Sequence, residues 1–350
     1  MYYVGCDQHK HYSQIAVKDE TGQMIEQQKL YHHDRDALKA YFDKLPSDSL
    51  IALEASGFQP WLCDLLSELE LKFKLVHPRK TRAIAEEKIK TDKLSASVLA
   101  DLLRANLVYE AFYAPTQMRQ FRYWSRYRQS LVHLKTNAKN KIHSILDQLG
   151  VQPPTLTDLF GKAGRNYLTS LEIPDVYQKA IQGYLKLIDT LQELITSVEG
   201  KYRCFAKENP AIELLKSLPG VGPILAHMIL AEIGDIKRFW SSSKLSGYAG
   251  MVPSLHQSGQ QYYSGPITKQ GNKYLRWAFV EAAQRAIHQD VYLAKFYAKI
   301  YHKKGRPTAI VAVAHKLLIY TYWILKEQKS YKAQRPVGDP VDYTGPLAAV

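Results

Sequence analysis

Short apolar, β-rich runs separated by polar clusters mark the first hundred residues. They fall at Tyr2–Cys6, Gln14–Lys18 and Met24–Tyr31, with Asp19-Glu20-Thr21-Gly22 as a hairpin turn between the second and third. A helical segment at Asp34–Leu45 leads to a strand ending at Glu54. A further helix at Trp61–Leu69 and a strand at Phe73–Val76 follow, then helical sequence through Asn106. From Thr116 to Gly150 the spacing becomes that of one long helix, stopped by Gly150 and the Pro153-Pro154 pair. A second long helix, Pro174–Glu199, repeats Tyr184, Leu187, Ile188, Leu191, Leu194 and Ile195 at three-and-four spacing. That spacing suits pairing with the first long helix, within the chain or across a dimer. Beyond Pro210, Leu218-Pro219-Gly220-Val221-Gly222-Pro223 sits between the apolar helical flanks Ile212–Leu215 and Ile224–Ile233, the pattern of a helix-hairpin-helix.

Three antiparallel strands followed by alternating helix and strand is the order of an RNase H-like sheet. The expected organisation is therefore an α/β domain at 1–110, a helical coiled-coil linker at 111–209 and a mostly α domain at 210–330. The Pro- and Gly-rich tail at 331–350 is expected to be disordered.

Composition narrows the partner. A formal net charge of +14 over 350 residues favours a polyanion over a small neutral ligand. The three cysteines, Cys6, Cys63 and Cys204, support neither a disulfide framework nor a zinc site and suit a reducing compartment. With no signal-peptide pattern and no apolar run of membrane-spanning length, the expectation is a soluble cytoplasmic protein, free of any membrane.

The candidate chemistry starts from carboxylates. Asp7 and Glu54 each close an apolar run and Asp92 opens a helix. Acids at strand tips and on a neighbouring helix can gather over a sheet edge, where hard oxygen ligands hold Mg²⁺ (or Mn²⁺) against a phosphate. His9 and His11 read as exposed loop histidines, with assistance to the metal site as the alternative. Lys10 is open between pairing a site carboxylate and meeting a phosphate. No acid occurs between Ala111 and Leu146, whereas Arg119, Arg122, Arg126, Arg128, Lys135, Lys139 and Lys141 do, interleaved with aromatics. That helix face is either a solvated coiled-coil surface or a contact for the phosphate backbone. Amides at Gly220 and Gly222 would meet a phosphate if the hairpin is more than a helix–helix turn. Ser258, before Gly259 in an expected loop and near Lys269, Asn272, Lys273, Arg276 and Arg285, is either a turn residue or a nucleophile toward phosphorus. The aromatic stripe Trp277, Phe279, Tyr292, Phe296, Tyr297 and Tyr301 reads as helix core.

Taken in order, several motifs resemble one family. They are Gly5-Cys6-Asp7-x-x-Lys10, Leu53-Glu54-Ala55-Ser56-Gly57, Lys90-Thr91-Asp92 and the Pro-Gly-Val-Gly-Pro hairpin. Tyr248-Ala249-Gly250-x-Val252-Pro253, Gln257-Ser258-Gly259 and Ile267-Thr268-Lys269-x-Gly271-Asn272-x-Tyr274-Leu275-Arg276 continue the series. The chain up to about Lys329 resembles transposases of the insertion-sequence 110 family, related to the Piv/MooV DNA invertases. The resemblance implies a RuvC-like domain with an Asp-Glu-Asp-Asp metal site, matched by Asp7, Glu54 and Asp92, and a nucleophilic serine matched by Ser258. It also implies target and donor DNA, a structured non-coding guide (bridge) RNA, and an oligomer whose subunits share sites. One departure stands: the family's second helical aspartate is Ser95 here, and Asp101 falls on the opposite helix face. Ser95 binds a metal weakly, or the site needs only one tightly held ion, or the copy is degenerate. Two rivals remain open: a Holliday-junction-type nuclease without a serine adduct, and a non-catalytic nucleic-acid-binding protein.

Overall fold

The computed structural model describes residues 1–55, 60–77, 92–258 and 261–331, without the side chains of 93, 203, 206–208, 255–258 and 261–264. The segment 78–91 and the tail 332–350, with its expected disorder, lie outside the described residues. Contacts divide the chain into two compact units, Met1–Ala114 and Pro115–Val350.

The first unit carries strands β1 (Tyr3–Gln8), β2 (Tyr12–Lys18), β3 (Met24–Tyr31), β4 (Leu50–Glu54) and β5 (Lys72–Val76). Helices α1 (Arg35–Asp43), α2 (Pro60–Glu68) and α3 (Asp92–Arg104) complete it. The sheet order is β3-β2-β1-β4-β5, antiparallel through the first three strands and parallel from β1 to β4 to β5. This is the expected RNase H-like order. Asp34 starts α1 by accepting the Ala37 amide at 2.9 Å.

Because side chains alternate along a strand, each sheet face has its own core. Val4, Cys6, Ile51 and Leu53 pack on α1 and α2 through Leu38, Phe42, Leu62 and Leu66. On the opposite face Ala52 and Val76 meet Leu99 and Leu103 of α3. Gly5 lies on that second face, and a Cβ there would collide with the Ala96 carbonyl and the Ala100 amide. The missing side chain is what lets α3 lie flat on β1. Gly5→Ala should therefore cost about 1–3 kcal/mol or more by overpacking and displace α3, which carries Asp92 at its start. Urea unfolding checks this; an unchanged midpoint would show that α3 does not need that close approach.

In the second unit, α4 (Thr116–Gln148) and α6 (Asp175–Glu208) run antiparallel, with α5 (Lys162–Ser170) alongside. The buried stripe of α6 is Ile181, Leu185, Ile188, Leu191, Ile195, Val198 and Tyr202, in steps of three and four. Leu187 and Leu194, expected on that stripe, face outward at 46% and 40% exposure. Helices α7 (Pro210–Lys216), α8 (Pro223–Ile233), α9 (Ser242–Ala249), α10 (Lys273–Gln289) and α11 (Val291–Glu327) build the remaining core. Phe279 is at its centre, whereas Tyr301 of the expected aromatic core is exposed.

Two expectations need correction. The Ser258 region is a hairpin of β6 (Pro253–Ser258) and β7 (Gln261–Ile267) rather than a loop. Helix α11 is long and apolar enough to cross a membrane by length and composition, although His315 and Lys316 interrupt its apolar stretch. Much of it is buried inside this unit, and its backbone breaks at Gly305 (φ 77°, ψ 172°) ahead of Pro307.

Candidate active site

Strand register assembles the acids. Cys6 pairs with Leu53 in the parallel β1–β4 ladder, so the next step sets Asp7 beside Glu54 on the α3 face. Helix α3 begins over that face, and Asp92, its first residue, reaches the same point. The Tyr12 hydroxyl donates to Asp92 Oδ2 at 2.6 Å and fixes the carboxylate from the second strand. His9, in the β1–β2 turn, places Nε2 3.5 Å from Asp7 Oδ2 and 3.4 Å from Asp92 Oδ1. Ligand atoms of Asp7, His9 and Asp92 lie within 4.8 Å of one another.

His9 is thus the turn residue the sequence reading expects, 37% exposed, and its ring also reaches the acids, as the alternative reading had it. The signal was available: two residues beyond Asp7 at a strand end is the same side of the ribbon. Burial pushes the Asp7 carboxyl above its ordinary pKa; His9 works against this, and the charges of Glu54 and Asp92 add to it. Carboxylates that disfavour one another's ionisation gain from a shared cation, and an oxygen-rich donor set with one imidazole fits Mg²⁺ or Mn²⁺. Ser95 is half-buried one turn beyond Asp92. Asp101 faces elsewhere and pairs with Lys18. Lys10 is exposed in the same turn as His9.

Ser258 ends β6, its backbone paired with Gln261 of β7. Its side chain is outside the described residues. The residues around the hairpin form a fixed junction. Gly250 (φ 66°) and Gly271 (φ 146°) hold backbone that side chains rarely adopt, and each presses on its neighbours' backbone. Asn272 caps α10 by accepting the Tyr274 and Leu275 amides at 3.0 Å, while its Nδ2 donates to Glu232 Oε2 at 2.6 Å. Arg276 donates to the Ala249 carbonyl at 2.8 Å. Lys269 is exposed at φ 52°.

The basic stripe of α4 finds its carboxylates far away in sequence. Arg126 meets the fully buried Glu232 of α8 through two bonds of 2.7 and 2.8 Å, and Arg122 adds the Ala231 carbonyl at 3.1 Å. Arg128 binds Glu199 at 2.6 Å, and Lys135 donates to Gln192. Lys139 lies over the Phe160 ring at 4.5 Å, and Arg119 donates to Thr116 Oγ1. The stretch without acids is therefore not a stretch without partners. Glu232 itself was missed, although one carboxylate in the apolar run of α8 is an unusual burial that calls for a paired cation. In the α7–α8 turn, Gly220 (φ 77°) packs on Ala282 and donates its amide to Gln289 Oε1 at 2.6 Å, so that amide is not free for a phosphate. Gly222 is the exposed N-cap of α8 with no side-chain cap.

Two transposase domains and several curated relatives match this chain. The IS110-type DEDD transposase domain matches residues 4–151, the span that holds the three acids and all of α4. The transposase domain of the IS116/IS110/IS902 family matches residues 212–298, which include the α7–α8 turn and the serine hairpin. A probable family 20 transposase of Pseudomonas aeruginosa is 22% identical, over 94% of this chain and 98% of its own length. The transposase of insertion element IS1111A from Coxiella burnetii is 27% identical over 59% of this chain and 58% of its own. A pilin gene-inverting protein of Moraxella bovis is 29% identical over 41% of this chain and 45% of its own. With both domains matched in order and between them more than half of its length, the chain belongs to the IS116/IS110/IS902 family of transposases, enzymes that cut and rejoin DNA.

Proposed function

We propose that this transposase breaks a DNA strand by attack of the Ser258 hydroxyl on a phosphodiester held at Asp7, Glu54 and Asp92. The observation that carries the reading is the meeting of Asp7, Asp92 and His9 at one end of the sheet beside Glu54. Asp7, Glu54 and Asp92 would hold Mg²⁺ or Mn²⁺, with Ser95 and His9 at the margin of the donor set. When bound, the ion supplies charge that polarises the phosphoryl oxygens and stabilises the transition state. Ser258 Oγ forms the new bond to phosphorus and gives up its proton, and the phosphorus–O3′ bond breaks with a proton taken up at O3′. The 5′ end remains on the protein as a phosphoserine. A 3′-hydroxyl then attacks that phosphorus and restores the serine, so the bond energy is kept and no ATP is needed.

The reading extends to partners carried by the family resemblance. Target and donor DNA meet on an oligomer whose subunits share sites, directed by a structured guide RNA, in the compartment that holds the chromosome. Lys10, Arg119, Lys269 and the exposed Gly222 end of a helix-hairpin-helix are the proposed backbone contacts. Arg122, Arg126, Lys139, Asn272 and Arg276 serve that surface by holding its framework.

A nicked duplex that traps the covalent intermediate tests the chemistry. Purified protein with Mg²⁺ is expected to give a denaturant-resistant protein–DNA adduct, absent in Ser258→Ala. Free 5′-phosphate product without any adduct would replace this reading with a junction-type nuclease. DNA binding with no cleavage under any divalent metal would leave only a binding protein.

A further inference from the structure

Helix α11 carries no acidic residue between Asp290 and Glu327, and over that span it holds seven lysines and arginines. Two of them rest on rings of their own helix: Lys316 lies 4.3 Å from the Tyr292 centroid and Lys326 5.2 Å from that of Tyr322. The other five, Lys295, Lys299, Lys303, Lys304 and Arg306, are exposed, and none meets a carboxylate among the described residues. This separates α11 from α4, whose basic stripe recovers Glu199 and Glu232 through packing. Residues 301–308 are exposed at every position, so this part of α11, with the break at Gly305, projects from the core.

A solvated helix face usually mixes charges of both signs, and this one does not. The helix dipole before the break at Gly305 accounts for Lys303 and Lys304, but Lys295 and Lys299 lie a turn or more further back. Lys295, Lys299 and Lys303 are spaced by four, which sets them in a row along one face at about 6 Å per step. Over that row of about 12 Å, one strand of a duplex passes about three to four phosphates. A stiff row suits a stiff polyanion better than a flexible strand. The stretch between Asp290 and Glu327 also lacks Asn, Gln, Asp and Glu, the side chains that read adenine and cytosine edges, so it is equipped for backbone contact. Tyr301 stacks on Tyr297 at 5.6 Å, away from the row, and leaves the lysines uncovered.

We propose that this exposed segment of α11, from Lys295 to Arg306, lies along the backbone of duplex DNA and adds sequence-independent affinity. Lys295, Lys299 and Lys303 each meet a phosphate of one strand. The inference rests on the family's action on DNA and is independent of Ser258 chemistry: duplex binding through the segment without adduct formation leaves it standing, and adduct formation without that binding does not rescue it.

Full-length protein in metal-free buffer is titrated against a labelled duplex of arbitrary sequence by fluorescence anisotropy, over a range of salt. In Lys295→Gln/Lys299→Gln/Lys303→Gln the slope of log K against log[salt] is expected to become shallower by about 2–3, at about 0.9 per lost phosphate contact. Lys39→Gln/Lys162→Gln/Lys186→Gln removes the same charge from exposed positions on α1, α5 and α6 and should keep the wild-type slope. Arginine at the three α11 positions should keep it as well. Thermal melts check folding, and Lys303→Gln/Lys304→Gln/Arg306→Gln, also expected to flatten the slope, reads the segment if the first variant melts early. The loss should be larger on duplex DNA than on single-stranded DNA or duplex RNA. An unchanged slope in the folded α11 variants, an equal fall in the control, or a loss as large on either of the other nucleic acids overturns the proposal.

Discussion

Asp7→Asn will abolish strand cleavage and, in metal-free buffer at neutral pH, will raise thermal stability. The two effects share one cause. Asp7 is only 15% exposed, and burial holds its carboxyl above the ordinary carboxylate pKa, with Glu54 and Asp92 adding to the shift against His9. A carboxyl whose folded pKa lies above its unfolded value costs the folded state stability once ionised. That cost is absent below the unfolded pKa, grows as pH rises toward the folded pKa, and is fully present above it. An asparagine of the same shape never pays it, so the variant's advantage in melting temperature should be present at neutral pH and fade in acid. Divalent metal should reverse the ranking, because an ion bound to the native cluster stabilises by mass action and the variant has lost a ligand. Ion-assisted phosphoryl chemistry contributes several kcal/mol, so the loss of cleavage should be on the order of 10³-fold. Thermal melts across pH, with and without Mn²⁺, run beside a nicked-duplex assay, check both halves. Retained cleavage, or a neutral-pH melting temperature below the wild type's without metal, would remove Asp7 from the site.

The acid cluster was legible because each member sits where an element begins or ends. Asp7 is next to last in its strand and Glu54 last in the parallel neighbour, a pairing that needs no special geometry, and Asp92 opens a helix that must cross their face. Strand order followed from the same runs, and β3 has the expected bounds, Met24–Tyr31. What was hidden depends on partners distant in the chain. His9 joins the cluster through a tight turn, and Tyr12 through a bond to a residue eighty positions away. On α4, local composition reports a lone positive stripe, yet tertiary packing supplies Glu199 and Glu232 to it. Leu187 and Leu194 fit a three-and-four count as well as Leu185 and Val198 do, and only the placement of α4 and α5 decides which set is covered. Ser258 was expected in a loop because Ser-Gly marks turns, and such a pair serves equally well at the end of a strand.

Glu232 should carry more stability than any other single side chain of the second unit. Its carboxylate is fully buried and accepts from both nitrogens of one face of Arg126 and from Asn272 Nδ2, and the Arg122 guanidinium, whose Nε donates to the Ala231 carbonyl, adds its charge 3.5 Å away. Glu232→Ala leaves a guanidinium that is 17% exposed, Arg122, and a second, Arg126, partly buried without their counter-charge. Breaking one side of a buried pair costs about 3–5 kcal/mol, and here the loss also frees the side chain that caps α10. Glu232→Gln keeps an acceptor for Asn272 but not the charge, so it should fall between wild type and alanine. Replacing the pair together, Arg126→Met with Glu232→Leu, removes both charges and should recover part of the loss, because no ion is then left unpaired. The contrasting expectation, that Arg126 is held free for the phosphate backbone, makes Arg126→Ala harmless to folding and lowers the salt dependence of DNA binding instead. Urea unfolding of the four variants separates these outcomes. A Glu232→Ala midpoint equal to the wild type's, with a reduced salt slope for Arg126→Ala, would return this stripe to the DNA surface.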